Sequence, residues 1–181
     1  QQTLTIAQAL DLGLQHHTGG DLSKAEKIYQ HILQTDPNHS DALHLLGVIA
    51  HQGGENHRAA NLIKKALSIK PDFAEAHRNM GNVLVELGQL EEAIVHFHKL
   101  IEIKPNYVEA HNNIGNVLKE LGWLEEAIAN YRKALSIKPD YAAAHVNLGA
   151  TLRDLGRLDE AITYYRKALN IKPNFAEVHN N

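Results

Sequence analysis

Cysteine is absent from this chain of 181 residues, and methionine and tryptophan each occur only once. Without cysteine the protein can form no disulfide, present no thiolate nucleophile and offer no cysteine ligand to a metal ion. A cysteine-free composition fits a reducing compartment, and we expect a cytoplasmic protein.

A basic excess and a long apolar run are also absent. Lys and Arg number 18 against 21 Asp and Glu, for a formal charge of −3, which excludes the charge pattern of a non-specific nucleic-acid binder. The longest apolar run, Leu45 to Ala50, is far shorter than the roughly 20 residues of a membrane span. We therefore expect neither nucleic acid nor a membrane as a partner.

Because the chain begins with Gln1 rather than methionine, we also expect it to be a piece of a longer protein.

Proline is scarce but strictly spaced. The five prolines recur at one constant interval, at Pro37, Pro71, Pro105, Pro139 and Pro173. Ten of the twelve glycines form two further series with the same interval: Gly13, Gly47, Gly81, Gly115 and Gly149, and Gly20, Gly54, Gly88, Gly122 and Gly156. This spacing, about 34 residues per unit, indicates one tandem array over residues 1–181. Its repeats are 6–39, 40–73, 74–107, 108–141 and 142–175, followed by a truncated sixth repeat, 176–181.

Each repeat is predicted to contain two helices, as the third repeat illustrates. Asp72 follows Pro71 as a candidate N-cap, and Glu75 completes an arrangement like a capping box. The first helix is expected to end at Gly88, and the second to run from near Leu90 until the next proline. The same candidate caps recur in other repeats, at Asn106 with Glu109, Asn174 with Glu177, and Asp140 without the glutamate.

The recurring residues match a known pattern. The third repeat has His77, Met80-Gly81, Leu84, Ala93, Phe97 and Pro105, and the fourth has His111, Ile114-Gly115, Leu118, Ala127, Tyr131 and Pro139. This pattern resembles the tetratricopeptide repeat (TPR), a helix-turn-helix unit of the same period. The resemblance implies an all-α fold, a right-handed superhelical solenoid whose concave surface is lined by first helices. Glycine and alanine are expected where two helices approach closely. The ring of Phe97, Tyr131 or Tyr165 is expected to fill the space between consecutive helices.

The residues that could carry catalysis or bind a metal mostly follow the repeat period. His77, His111, His145 and His179 recur once per repeat, and we expect them to pack between helices rather than to bind a metal. The chain contains no HExxH, phosphate-binding loop or GxSxG sequence. We therefore expect no enzymatic activity, no cofactor and no metal site.

Charged pairs also recur with the repeats. Acidic pairs open the predicted second helices and are expected to complement the helix dipole, at Glu91-Glu92, Glu125-Glu126 and Asp159-Glu160. Basic pairs such as Arg132-Lys133 and Arg166-Lys167 lie two turns further along the same helices. We expect partial neutralisation between them rather than a nucleic-acid surface.

Asparagine is the most informative residue type. Asn79, Asn113, Asn147 and Asn181, here called the asparagine ladder, recur at the repeat period on first helices, and Asn82, Asn112 and Asn116 accompany them. Asparagine is only a moderate helix former, so its retention needs a reason. Two reasons remain open. The carboxamides could form hydrogen bonds between repeats, or their donors and acceptors could bind the backbone of an extended peptide.

The peptide hypothesis has a consistent geometry. Neighbouring first helices should lie about 10 Å apart, and an extended chain advances roughly 3.3 Å per residue. One asparagine would then meet the peptide backbone at about every third residue. We therefore expect protein–protein interaction through the concave groove of repeats three to five, with the contacts made by Asn79, Asn82, Asn112, Asn113, Asn116, Asn147 and Asn181.

Segments such as residues 110–116 closely resemble the repeat domain of O-linked N-acetylglucosamine transferases and bacterial proteins like them. The resemblance implies one alternative function, the recruitment of protein substrates for a glycosyltransferase domain, in which the asparagine ladder would contact the peptide. The match weakens toward the N-terminus, where Asp11 and Leu45 replace the asparagine. A second alternative is a self-assembly scaffold. We also expect the last second helix, with Ile162 and Leu169, to leave an apolar face that pairs with another chain.

Overall fold

The computed structural model describes residues 4–173, which form ten α-helices and no strand. Each predicted repeat up to residue 173 contains two of these helices, and they have the all-α TPR fold that the resemblance implied. Among the described residues, no helix is long and apolar enough to cross a membrane. The ladder member Asn181, the candidate cap pair Asn174 and Glu177, and the truncated repeat 176–181 lie outside the described residues.

The chain divides into two compact units between Gln89 and Leu90. The first unit contains α1 (Ile6–Thr18), α2 (Leu22–Thr35), α3 (Ser40–Gln52), α4 (Asn56–Ile69) and α5 (Ala74–Glu86). The second contains α6 (Leu90–Ile103), α7 (Val108–Glu120), α8 (Leu124–Ile137), α9 (Ala142–Asp154) and α10 (Leu158–Ile171). Within each unit every helix packs against the next, and the first helices of successive repeats also contact each other, α3 with α5 and α7 with α9.

Close helix packing explains the glycine that recurs in the middle of each first helix. In the fourth repeat, a Cβ atom added to Gly115 would lie 2.5 Å from Cε1 of Tyr131, a ring that is completely buried. In the fifth repeat the corresponding distance, from Gly149 to Tyr165, is 2.8 Å. The predicted reason for small residues at these positions is confirmed in both repeats.

The predicted position at which first helices end is also confirmed. Helix α7 ends at Glu120, and Gly122 follows with φ +81°, a left-handed conformation that glycine adopts without steric cost. Its neighbour Trp123 donates its backbone N–H to the Leu118 carbonyl at 2.8 Å. This bond spans five residues and is typical of a Schellman motif.

The predicted N-caps of later first helices are wrong. The N-cap of α5 is Phe73 rather than Asp72, and no side chain caps the helix; Tyr107 and Tyr141 likewise precede α7 and α9 in place of Asn106 and Asp140. The reason is a turn around the proline. The Phe73 N–H donates a hydrogen bond to the Lys70 carbonyl at 3.3 Å and closes the turn, so Pro71 and Asp72 are its two central residues. The helix therefore begins one residue later than predicted.

Candidate functional site

The six described asparagines of the predicted site lie on first helices, in both units. Asn79 and Asn82 belong to α5 in the first unit, whereas Asn112, Asn113 and Asn116 on α7 and Asn147 on α9 belong to the second. Asn116 is exposed and Asn112 buried, while Asn79, Asn82, Asn113 and Asn147 are half-buried. The contact between α7 and α9 thus brings four of the predicted site residues onto one pair of helices.

Asn147 is held by an asparagine of the preceding repeat. Its Nδ2 donates to Oδ1 of Asn112 at 3.1 Å, and Asn112 is only 5% exposed. A carboxamide has two N–H donors and one acceptor oxygen. The bond uses one donor of Asn147 and fixes the orientation of the whole group. Asn112 therefore positions Asn147 and does not itself offer a surface contact.

The first unit contains the same arrangement with a different partner. Nδ2 of Asn79 lies 2.8 Å from Nε2 of His44, a side chain that is only 6% exposed. Burial lowers the pKa of His44 to about 4, so the ring is neutral at pH 7. An unprotonated Nε2 can then accept the hydrogen bond from Asn79.

These two bonds decide part of the question that the asparagine spacing left open. Asn79 and Asn147 do form hydrogen bonds between repeats, each to a side chain 35 residues earlier. His44 was not predicted from sequence. The signal that could have found it is the separation of 35 residues between the two partners. Lys119 on α7 and Asp154 on α9 have the same separation and form an ion pair of 3.1 Å.

Asn116 is linked to the packing between helices. Its Oδ1 accepts a hydrogen bond from the hydroxyl of the buried Tyr131 at 2.9 Å, while the Asn116 side chain is exposed. With the oxygen fixed by Tyr131, the two N–H donors of Asn116 are oriented as well.

Two of the recurring histidines, His77 and His145, have the predicted packing role, and His179 lies outside the described residues. Nε2 of His77 and Nε2 of His145 each contact the carbonyl of the proline six residues earlier, at 2.8 Å, and both side chains are buried. Within residues 4–173, no group of three or more histidine, aspartate and glutamate side chains is arranged to hold a metal ion.

Comparisons with known families and structures agree with this architecture. A family model described as TPR repeat matches residues 47–88 and 81–122, and one described as tetratricopeptide repeat matches residues 106–174. Together the two matches extend over more than two thirds of the chain. A search of curated proteins gives no match.

Several solved structures share the fold over nearly their whole length. A crystal structure of MamA superimposes with a TM-score of 0.84 at 29% identity, covering 91% of this chain and 96% of that one. A MamA fragment from Desulfovibrio magneticus RS-1 gives a TM-score of 0.86 at 18% identity, covering 94% and 96%. YrrB, described as a TPR protein with an unusual peptide-binding site, gives 0.83 at 22% identity, covering 97% and 91%. These matches do not test the resemblance to O-linked N-acetylglucosamine transferases, which stays a prediction.

Proposed function

Because the chain belongs to the tetratricopeptide repeat family, we propose that it is a protein–protein interaction module that binds an extended peptide segment on its first helices. The family's fold is typical of such modules. A peptide-binding site is described for YrrB, which has the same fold, although at 22% identity the likeness concerns the fold alone.

The orientation of Asn147 by Asn112 is the observation that carries the proposal. Asn147 is half-buried, and its hydrogen bond to Asn112 aligns the remaining donor and the acceptor oxygen before any ligand arrives. A side chain that is already ordered loses less conformational entropy when it binds. Such a carboxamide can accept from a peptide N–H and donate to a peptide carbonyl, largely regardless of the peptide's side chains.

Within the second unit, we propose Asn113, Asn116 and Asn147 as peptide contacts and Asn112 as a positioning residue. Asn113 and Asn147 occupy the same position in successive repeats, on helices that contact each other. In the first unit, Asn79, oriented by His44, and its neighbour Asn82 are the corresponding candidates. Asn181 keeps its predicted role by its place in the asparagine ladder.

The proposal is tested with peptides selected from a library of random 12-residue sequences and measured by fluorescence anisotropy. We expect N113A/N147A to weaken binding of a selected peptide by about one to two decades, since each lost hydrogen bond contributes roughly 0.5–1.5 kcal/mol. N112A should weaken binding less, because it releases Asn147 without removing it. The matched control is N61A, an exposed asparagine on the second helix α4, which should leave binding unchanged.

Two results would overturn the proposal. One is a library that yields no specific binder of the wild-type protein. The other is a set of selected peptides that bind N113A/N147A as tightly as wild type, while circular dichroism shows that the variant keeps its helices. The second result would assign the asparagines to hydrogen bonding between repeats alone.

A further inference from the structure

The outer face of α10 carries an apolar stripe whose first two members are exposed. This α10 stripe consists of residues at intervals of four, three and four, namely Leu158, Ile162, Tyr165 and Leu169. Leu158 is 57% and Ile162 46% exposed, whereas Ile128, at the position of Ile162 in the preceding repeat, is 1% exposed because α9 packs on α8. Intervals of three and four residues place side chains in one seam, the arrangement by which two helices pack against each other.

Ion pairs show which charged positions of a second helix face the following repeat. Glu125 in the first turn of α8 lies 3.6 Å from Arg157, and Arg132 of α8 lies 3.9 Å from Glu160. Both partners belong to the fifth repeat, Arg157 just before α10 and Glu160 in its first turn. Two positions on α8, one acidic and one basic, therefore contact charges of the repeat that follows.

The same two positions of α10 are Asp159 and Arg166, and both side chains are exposed. Within residues 4–173, neither of them forms an ion pair. They carry opposite charges and lie about two helical turns apart, so both lie along the same side of the α10 stripe. The midpoint between them, next to Ile162, is also close to the middle of the stripe. A second α10 helix that runs antiparallel would therefore bring Asp159 of each copy to Arg166 of the other.

Helix α1 does not offer a matching surface for the α10 stripe. Ala144 of α9 is completely buried, in the same cluster as Ala134 of α8. The same position of α1 is Gln8, which is exposed and whose side-chain oxygen accepts a hydrogen bond from the Thr5 N–H at 2.9 Å. Gln15, two turns later, is exposed as well. Placing α1 of a second copy on α10 would bury two carboxamides, which costs free energy unless each forms new hydrogen bonds.

We propose that a second copy of this chain covers the α10 stripe, with the two α10 helices antiparallel about a two-fold axis. Leu158 of one copy then packs toward Leu169 of the other, and the two Ile162 side chains approach each other near the axis. Asp159 and Arg166 form two equivalent ion pairs across this contact, in place of the pairs that α8 forms with the fifth repeat. Such an interface uses the same patch on both chains, so association stops at the dimer.

The α10 dimer is independent of peptide binding, because none of the described asparagine contacts lies on α10. The sequence predicted only that this face pairs with another chain. The ion pairs of α8 and the polar surface of α1 add which surface is the partner and in which direction it runs.

Sedimentation velocity of the full chain over a range of concentrations tests the proposal. We expect the wild type to change from monomer to dimer as its concentration rises, with no larger species. D159R and R166D should each weaken dimerisation about tenfold or more, because each reversal places like charges together twice in a two-fold dimer. An equimolar mixture of D159R and R166D should regain the wild-type affinity, because both contacts of the mixed dimer join opposite charges.

The matched control is K167E, which reverses an exposed charge next to Arg166. The Lys167 ammonium lies 5.0 Å from the ring centroid of Tyr164, and that ring stacks on His145 of α9. Lys167 therefore lies on the side of α10 that faces α9, and K167E should dimerise like the wild type. Circular dichroism checks that every variant keeps its helices.

Four results would overturn the proposal. A wild type that stays monomeric would assign the α10 stripe to another occupant, such as residues 174–181 of the same chain. Species that grow beyond the dimer would indicate head-to-tail stacking. The proposal also fails if the mixture associates no more strongly than its two components, or if K167E weakens dimerisation as much as R166D.

Discussion

Tyr131 packs directly against the backbone of Gly115, so closely that a Cβ atom at Gly115 would lie 2.5 Å from the ring. The ring is completely buried, and its hydroxyl bonds to Asn116 one residue further along the same helix. This single contact joins the packing of the fourth repeat to one of the proposed peptide contacts.

Replacing Gly115 with alanine should destabilise the protein. The ring of Tyr131 must move to accept the methyl group, and overpacking of this kind costs about 1–3 kcal/mol. The matched control is G53A, because Gly53 has φ −82° and its added Cβ would meet nothing closer than 3.5 Å. We expect G53A to be neutral or stabilising by up to about 1 kcal/mol. Urea unfolding of both variants checks this, and equal stability of the two would contradict the packing argument.

Removing the hydroxyl of Tyr131 should cost stability, whereas removing that of Tyr29 should not. Y131F loses the 2.9 Å hydrogen bond to Asn116, for which we expect a loss of roughly 0.5–1.5 kcal/mol. Tyr29 is as deeply buried, but its hydroxyl has no hydrogen-bond partner within the described residues. Y29F should therefore be neutral or slightly stabilising. Thermal unfolding compares the pair, and a larger loss in Y29F would refute the assignment.

The stability of the first unit should fall in acid because of His44. Burial lowers its pKa from 6.5 to about 4 in the folded state, so between these values the unfolded chain binds more protons than the folded one. The free energy of unfolding should therefore be unaffected by His44 above about pH 6.5 and decrease as the pH falls toward 4. The full effect of this one group is about 3 kcal/mol.

The variant H44Q isolates that contribution from other titrating groups. Its free energy of unfolding should depend less on pH between 6.5 and 4 than that of the wild type. Glutamine keeps an oxygen that can accept from Asn79. Parallel curves for the two proteins over this range would show that His44 is not the titrating group.

The exposed face of α10 should promote self-association at high concentration. Leu158 and Ile162 are 57% and 46% exposed, whereas Ile128, which occupies the position of Ile162 in the preceding repeat, is 1% exposed. Apolar side chains left uncovered in this way gain free energy by burial against another chain. L158E/I162E should lower the association measured by sedimentation velocity. V95E, which changes an equally exposed residue on α6, should have no effect on the association. A wild-type protein that stays monomeric at high concentration would contradict the prediction.

The sequence alone was sufficient for the signals that act within a few residues. The repeat period predicted two helices per repeat, and glycines such as Gly122 marked the ends of first helices because only a residue without Cβ takes their positive φ readily. Gly115 and Tyr131 were likewise predictable as packing positions, because the TPR pattern pairs them. The prediction of the N-caps failed for a local reason as well, because Asp72 is a central residue of the turn around Pro71 and the helix begins only after that turn.

Only the tertiary structure decided which partners the asparagines contact. The sequence separates Asn112 from Asn147 by 35 residues and offers no rule for which carboxamide is buried; the packing of α9 on α7 makes Asn112 the buried acceptor and leaves Asn147 half-buried. Helix periodicity determines the face on which a side chain lies, but hydrogen bonds and electrostatic interactions depend on distances of a few ångströms between helices, which packing sets.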